Sequence, residues 1–229
     1  LAYACIALGV GMLFASHSAR ALEHDPAVEH LAQAIRFETV SHQQLEKIDY
    51  SAFSNFKSFL RSTYPEVFSN LVIQEVSQHS LLIQWEGANK QLKPVLFEAH
   101  YDVVPIEDGT IQDWKHPPFS GVIEDGYLWG RGSLDDKVSV IASLEAMEQL
   151  LKEGYTPERT LIFAFGHDEE IGGVAGAKKV AELLKKRQVE VEFIIDEGGS
   201  IVGGGIIPGV EDPIALVGIA EKGYVSLKM

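Results

Sequence analysis

Apolar runs of strand length and segments of helical periodicity alternate between residues 95 and 195, and this alternation limits the fold more than any other feature. The strand-like runs are 95–99, 160–165 and 191–195, and the helical segments between them are 138–151 and 174–187. Strands joined by helices form right-handed crossovers onto a parallel sheet. The sequence therefore predicts an α/β protein with a mostly parallel central sheet flanked by helices.

Further elements are predicted on both sides of this pattern. Helical spacing of apolar residues covers 27–39 and 50–64, strand-like runs cover 71–76, 81–85, 214–219 and 224–229, and a hairpin covers 122–129. The hairpin prediction rests on Asp125-Gly126, a strong turn signal between two short apolar runs. Tyr64 is followed by Pro65, so the second helix is predicted to end there.

Acidic residues and one histidine stand where these strands or the hairpin end. Four blocks carry them, and they are His100 with Asp102, Asp135 with Asp136, Glu169 with Glu170, and Asp196 with Glu197. In an open α/β sheet, ligands bind at the carboxyl ends of the strands. A single block of this kind is more often a helix cap or a turn. Four in succession predict a site that holds metal and activates water.

The spacing assigns a role to each ligand candidate. A pair of divalent ions needs one bridging carboxylate and further His or carboxylate ligands on each side. Asp135 follows a Gly-Arg-Gly turn and precedes a helix, so it is the candidate for the bridge. His100 and Asp196 are predicted to complete one metal site, and Glu170 to serve the other.

Two more carboxylates are predicted to act without binding metal. Glu169 lies next to Glu170, and neighbours in an extended segment face opposite ways, so Glu169 is the candidate general base. Asp102 lies two residues after His100 and on the same side of an extended chain. It is predicted to accept the second ring N–H of His100, the usual support for a histidine ligand.

Other residues with possible chemistry are given structural roles. His167 is interpreted as a residue that shapes the loop before the glutamate pair. The remaining histidines have no acidic partner pattern and are predicted to lie on the surface, and they are His17, His24, His30, His42, His79 and His116. Neither Ser133 nor Ser200 stands in a G-x-S-x-G elbow, so serine hydrolysis is not favoured.

Composition excludes some functions and narrows the choice of metal ligands. The net charge of -14 argues against nucleic acid as a partner, because phosphate binding needs a basic face. Cys5 is the only cysteine, so neither an intrachain disulfide nor a cysteine zinc cage forms within the chain. Zinc would have to be held by His and carboxylates, which is typical of catalytic sites.

The first 21 residues predict an export signal. Residues 1–15 are apolar and uncharged, and Ala19-Arg20-Ala21 matches a small-x-small cleavage pattern. The run is short for a membrane span. A signal peptide at 1–21 is the first interpretation, a clipped signal anchor the second and a buried helix the third. The first two predict the secretory pathway, with the protein extracellular or periplasmic, or anchored facing that side.

Three stretches together resemble one enzyme superfamily. Residues 113–121, 129–137 and 166–170 are similar to the di-zinc metallopeptidases that include aminoacylase, glutamate carboxypeptidase and succinyl-diaminopimelate desuccinylase. Within it they are closest to the branch of carboxypeptidase S and the secreted N-acyl-amino-acid hydrolases. The resemblance implies two zinc ions and the same roles for His100, Asp102, Asp135, Glu169, Glu170 and Asp196. It also implies a cis peptide after Asp135.

The resemblance also implies a domain organisation. Residues 22–220 would be the N-terminal part of the catalytic domain, and 221–229 would begin a lid and dimerisation domain. The rest of the lid and the C-terminal return with a last histidine ligand would be missing. The chain alone would then bind zinc weakly, and a homodimer would form through the lid.

The predicted function is zinc-dependent hydrolysis of a C-terminal peptide bond or of the amide bond of an N-acyl amino acid. Small peptides or N-acyl amino acids would be the substrates, and Glu169 the base. The alternative is a non-catalytic metal-binding protein or an inactive relative. A single-metal hydrolase of another family is the third possibility, and it would leave either Asp135 or Glu170 without a partner.

Overall fold

A computed structural model describes residues 25–220 of the chain. The predicted export signal at 1–21, the predicted lid segment at 221–229 and the last predicted strand lie outside these residues. Between residues 25 and 220, none of the helices combines the length and the apolar character that a bilayer crossing requires.

The described chain alternates helices and strands in the predicted order. The α-helices are α1 (Pro26–Ile35), α2 (Tyr50–Thr63), α3 (Pro65–Asn70), α4 (Lys137–Lys152) and α5 (Ala177–Lys186). The strands are β1 (Val72–Val76), β2 (Ser80–Trp85), β3 (Val95–His100), β4 (Val122–Glu124), β5 (Tyr127–Trp129), β6 (Leu161–Gly166), β7 (Ile194–Ile195), β8 (Ser200–Val202) and β9 (Ile214–Leu216). Short 3-10 helices cover Leu45–Lys47, Ile111–Asp113 and Glu169–Ile171.

The central sheet has five strands in the order β1-β2-β6-β3-β7. β3 runs parallel to β6 on one side and to β7 on the other, whereas β1 and β2 join antiparallel. This confirms the predicted α/β class. His100 lies opposite Gly166 at the last pair of β3 and β6. The chain therefore leaves both strands at the same edge, and this brings the segments after them together.

Two apolar layers cover the sheet, one on each face. On one face Phe53 and Phe56 of α2 pack with Leu144 of α4, and on the other Val180 and Leu184 of α5 are buried. The strands supply both layers, since Leu81 and Ile83 of β2 join the first and Leu82 joins the second. Full burial of a large apolar side chain contributes about 1.5–3 kcal/mol, so these layers fix the sheet that carries the site.

The structure differs from the sequence predictions at several elements, and β8 is a strand that no sequence pattern predicted. A further helix, α3, begins at Pro65, where proline is favourable because the first helical turn leaves its N–H groups unpaired and proline has none. α5 begins at Ala177 and not at 174, since a loop precedes it. β7 has two residues and not five, and Phe193 next to it is half exposed.

The hairpin of β4 and β5 is confirmed, and a glycine just before it packs against α1. Gly121 has φ +58°, and a Cβ placed there would lie 2.2 Å from the carbonyl oxygen of Ala32. Gly121→Ala is expected to lower the free energy of unfolding by about 2–3 kcal/mol. Urea denaturation measures it. Gly109→Ala is the control, because Gly109 also has positive φ but nothing within 4 Å. An equal loss of unfolding free energy in the two variants would show that the contact of Gly121 with α1 does not contribute to stability.

Among the described residues, 25–195 form one compact unit and 196–220 form a second. In the second unit β8 and β9 pair antiparallel, with Ser200 opposite Leu216 and Val202 opposite Ile214. The predicted domain limits of 22–220 and 221–229 stay predictions.

Candidate metal centre

His100 ends β3 with a buried imidazole whose two nitrogens face different groups. Nδ1 lies 3.0 Å from the backbone oxygen of Asp102 and 3.4 Å from its carboxylate. Nε2 lies 2.9 Å from a carboxylate oxygen of Asp135 and 3.8 Å from one of Glu169. The protein thus fixes the ring from one side, and the other nitrogen points to a group of carboxylates. This is how proteins orient a histidine ligand.

Asp102 connects the histidine to the glutamate turn. Its side chain is fully buried and accepts hydrogen bonds from the Ser41 hydroxyl at 2.7 Å and from the backbone N–H groups of Glu169 and Glu170 at 3.0 and 3.1 Å. Burial alone would raise the pKa of Asp102, but hydrogen bonds from His100 and Ser41 outweigh it and leave the pKa below its usual value. Asp102 is therefore held as an anion that fixes both the ring and the turn.

The glutamate pair lies in the 3-10 helix Glu169–Ile171. The prediction that the two side chains separate because the segment is extended is therefore wrong. Adjacent residues of a 3-10 helix point roughly 120° apart, and the opposite faces of an extended chain do not apply. The side chain of Glu169 is 53% exposed. Glu170 is half-buried, and burial followed by the charge of Asp135 raises its pKa. The two glutamates thus occupy different environments, as the assignment of different roles requires.

Asp135 follows the tight turn before α4, and its side chain is 68% exposed. The peptide bond between Asp135 and Asp136 is cis, as the family resemblance implies. Asp136 is buried and accepts from the Ser139 hydroxyl, and its second carboxylate oxygen has no hydrogen-bond partner within residues 25–220. Burial raises the pKa of Asp136. Sequence reasoning gave Asp136 no separate role.

Asp196 follows β7 in the chain and is the first residue of the second compact unit. Its assignment as a ligand stays a prediction. Within the first unit, the structure brings His100, Asp102, Asp135 and the two glutamates to one edge of the sheet.

The segment after α1 supports this edge, and sequence reasoning missed it. Val40 forms a parallel bridge with Val103, and the N–H of Ser41 donates to the carbonyl of Val103 at 3.0 Å. The ammonium of Lys137, directly after the Asp pair, is buried and donates to the carbonyls of Ala34 and Phe37 at 2.9 and 2.6 Å. Burial lowers the pKa of Lys137 to about 7. No sequence pattern identified Ser41 or Lys137 as parts of the site.

The predictions for the other histidines need correction at three positions. His79 is partly buried and stacks on the ring of Tyr50, with 4.7 Å between the ring centroids. His30 pairs with Glu145 at 2.5 Å, and His116 pairs with Glu124 at 3.0 Å, so both have acidic partners. Glu145 lies 115 residues after His30, and Glu124 lies 8 residues after His116, so a linear pattern does not reveal these partners. His167 is buried, and its Nδ1 lies 2.6 Å from the Ser80 hydroxyl, which agrees with a loop-shaping role. His17 and His24 lie outside the described residues.

The sequence matches the profile of Peptidase family M20/M25/M40 over residues 96–224, which is more than half of the chain. The chain belongs to this family. It is 43% identical over 88% of its length to the probable carboxypeptidase S-like 2 of Dictyostelium discoideum. It is 41% identical over 90% of its length to an N-fatty-acyl-amino acid synthase/hydrolase of Xenopus tropicalis.

The M20 chain spans about 40% of the length of these curated relatives, with coverages of 39% and 40%. A solved structure with the same fold is the M20 family metallo-carboxypeptidase of Sulfolobus solfataricus. It aligns with a TM-score of 0.59 and 21% identity over 79% of this chain and 38% of that one. At this identity the likeness shows the fold. The sequence matches thus confirm the predicted superfamily, and the structural match confirms the fold.

Proposed function

We propose that the protein carrying this chain is a zinc-dependent hydrolase of C-terminal peptide bonds or of the amide bonds of N-acyl amino acids. The observation that carries the proposal is the pair of His100 and Asp135, whose side chains meet at 2.9 Å while the far side of the imidazole is held by Asp102. The names of the relatives, a carboxypeptidase S-like protein and an N-fatty-acyl-amino acid synthase/hydrolase, support the two substrate classes.

The donor set fits zinc. Zinc binds imidazole nitrogen and carboxylate oxygen, and His100, Asp135 and Glu170 offer these atoms. Burial and the charge of Asp135 raise the pKa of Glu170, so a cation among these groups would relieve the electrostatic cost of the carboxylate. We assign His100 and Asp196 to one zinc, Asp135 to a bridging position and Glu170 to the second zinc. The chemistry that the ions supply when bound is polarisation of the substrate carbonyl and acidification of water.

Two further carboxylates, Glu169 and Asp102, transfer the proton and orient the histidine ligand. Glu169 accepts the proton of the attacking water at its carboxylate and passes it to the amine that leaves, which is the role of a general base that turns into a general acid. Its half-exposed side chain reaches the space beside Nε2 of His100, 3.8 Å away. Asp102 stays ionised and keeps Nδ1 of His100 protonated, so that Nε2 is the ligand atom.

In the same proposal the protein enters the secretory pathway and forms homodimers through a lid.

Zinc analysis tests the proposal. The full-length protein that carries this chain is purified and reconstituted with zinc, and its metal content is measured beside that of His100→Ala and of His30→Ala, the control whose partner Glu145 is unrelated to the site. We expect two zinc ions per chain, fewer in His100→Ala and an unchanged number in His30→Ala. Absence of bound metal would overturn the proposal. Two zinc ions without hydrolysis of N-acyl amino acids or dipeptides would favour the alternative of a non-catalytic relative.

A further inference from the structure

The loop that carries the glutamate pair is closed by one buried side chain. Asp168 is 5% exposed, and its two carboxylate oxygens accept the backbone N–H groups of Ala175 at 2.6 Å and Gly176 at 2.8 Å. Its backbone carbonyl accepts from Ile171 at 3.3 Å and from Gly173 at 2.8 Å. Asp168 therefore ties the beginning of the loop to its middle and to its end, just before α5.

The carboxylate of Asp168 has little freedom to move. A Cβ placed on Gly176 would lie 2.4 Å from its oxygen and 2.9 Å from the hydroxyl of Ser80. Ser80 belongs to β2 and also holds Nδ1 of His167, the residue before Asp168, at 2.6 Å. The Asp168 carboxylate thus packs between β2 and the start of α5. Because Gly176 has no side chain, there is room for this carboxylate.

Two buried aspartates accept backbone hydrogen bonds from different parts of the same loop, residues 169–176. Asp102 accepts the N–H groups of Glu169 and Glu170, which fixes the first half of the turn. Asp168 holds the second half through Ala175 and Gly176. Hydrogen bonds to an ionised acceptor are about twice as strong as neutral ones. Movement of the glutamates requires at least one of these charged acceptors to release its donors.

We propose that Asp168 is a positioning residue that fixes Glu169 and Glu170 at the site, beyond any part it has in starting α5. The inference rests on the proposed function, in which Glu169 is the base and Glu170 a ligand. If Asp168 only capped α5, its loss would loosen residues from 175 onward and leave the glutamate amides as they are. If it positions the turn, its loss also loosens the amides held by Asp102.

Hydrogen exchange separates these two roles without using activity. Asp168→Asn removes the charge and turns an acceptor into a donor, and Gly176→Ala pushes the carboxylate aside while it keeps the charge. We expect at least tenfold faster exchange of the Glu169 and Glu170 amides in both variants, measured on the protein with and without added zinc. Global unfolding in urea, recorded for each variant, shows that the acceleration is local.

Two controls match these substitutions. Asp49→Asn changes an aspartate that also accepts a backbone N–H, that of Ser51, at the start of α2. Gly218→Ala adds a methyl group where nothing lies within 4 Å. Both are expected to leave the two glutamate amides unchanged. Acceleration confined to residues 175–180 in both test variants would overturn the proposal. If Asp168→Asn does not fold, Gly176→Ala decides alone.

Kinetics supply the second measurement. Asp168→Asn is expected to lower kcat for an N-acyl amino acid about tenfold or more and to change KM little, because the substrate contacts remain and the base is displaced. Equal losses in kcat with Asp49→Asn would contradict it. If the unaltered protein hydrolyses neither N-acyl amino acids nor peptides, the proposed function fails, and the exchange of the glutamate amides still shows whether Asp168 positions the turn.

Discussion

Glu169→Gln is expected to lower the turnover of the zinc-loaded protein by about 100- to 10,000-fold, while the zinc content stays at the level of the unaltered protein. Glutamine has nearly the size of glutamate but accepts no proton at neutral pH. The backbone N–H of Glu169 still donates to Asp102, so the turn keeps its place. The loss therefore falls on proton transfer. Steady-state hydrolysis of an N-acyl amino acid and elemental analysis measure the two quantities.

The neighbouring glutamate provides a sharp comparison. Glu170→Gln is expected to lower zinc content, because the proposal makes Glu170 a ligand. Glu182→Gln on α5, whose side chain pairs with Lys179 on the surface, is the control that should change neither quantity. If Glu169→Gln lost zinc as well as turnover, its assignment as the base would be wrong, and both glutamates would have to be ligands.

Asp102→Ala is expected to lower the free energy of unfolding at pH 7 by about 3–5 kcal/mol. The substitution leaves the Ser41 hydroxyl and the N–H groups of Glu169 and Glu170 without their buried acceptor. Ser41→Ala removes only one donor and keeps the charge, so it should cost about 1–2 kcal/mol. Urea denaturation of the metal-free proteins measures both. A similar loss of unfolding free energy in Asp102→Ala and Ser41→Ala would show that the backbone N–H donors of the turn contribute little to stability.

The same variant predicts a pH dependence. Because the pKa of Asp102 is lowered in the folded protein, its stabilisation is present above the unfolded pKa, near 4, and is lost as the pH falls through the folded value. The difference in stability between the unaltered protein and Asp102→Ala should therefore be constant at neutral pH and shrink below about pH 4. A difference that grew on acidification would contradict the lowered pKa.

The convergence of His100 and the glutamate pair at one edge of the sheet could be predicted, because strand ends leave a pattern that can be read locally. His100 closes an apolar run, and the glutamate pair follows the next parallel strand, so sheet topology alone brings them together. The internal order of the turn was not predictable in the same way. Whether Glu169 follows an extended or a 3-10 path depends on Asp102, which lies 67 residues earlier in the chain.

Supporting residues left no readable signal at all. Ser41 is one serine in a polar loop, and only the fold shows that its hydroxyl meets Asp102. Asp168 looks like one more acid in an acidic run, and its role depends on the space beside Gly176. Outside the site, His30 and Glu145 likewise form a pair although they are 115 residues apart. Such contacts follow from the packing of helices on the sheet, and periodicity predicts that packing only in outline.

The hydrogen bonds of Asp102 also set an order of assembly for a chain that is made from its N-terminus. Ser41, Asp102 and Glu169 are separated by 61 and 67 residues, so a nascent chain that ends before the glutamate turn holds the histidine and lacks the groups that complete the arrangement. Loop closure over such separations slows folding. A partly made chain thus lacks the complete arrangement around Asp102, and in the proposed function metal binding at this edge would follow synthesis of the glutamate turn. From then on, bound metal would stabilise the native chain by mass action.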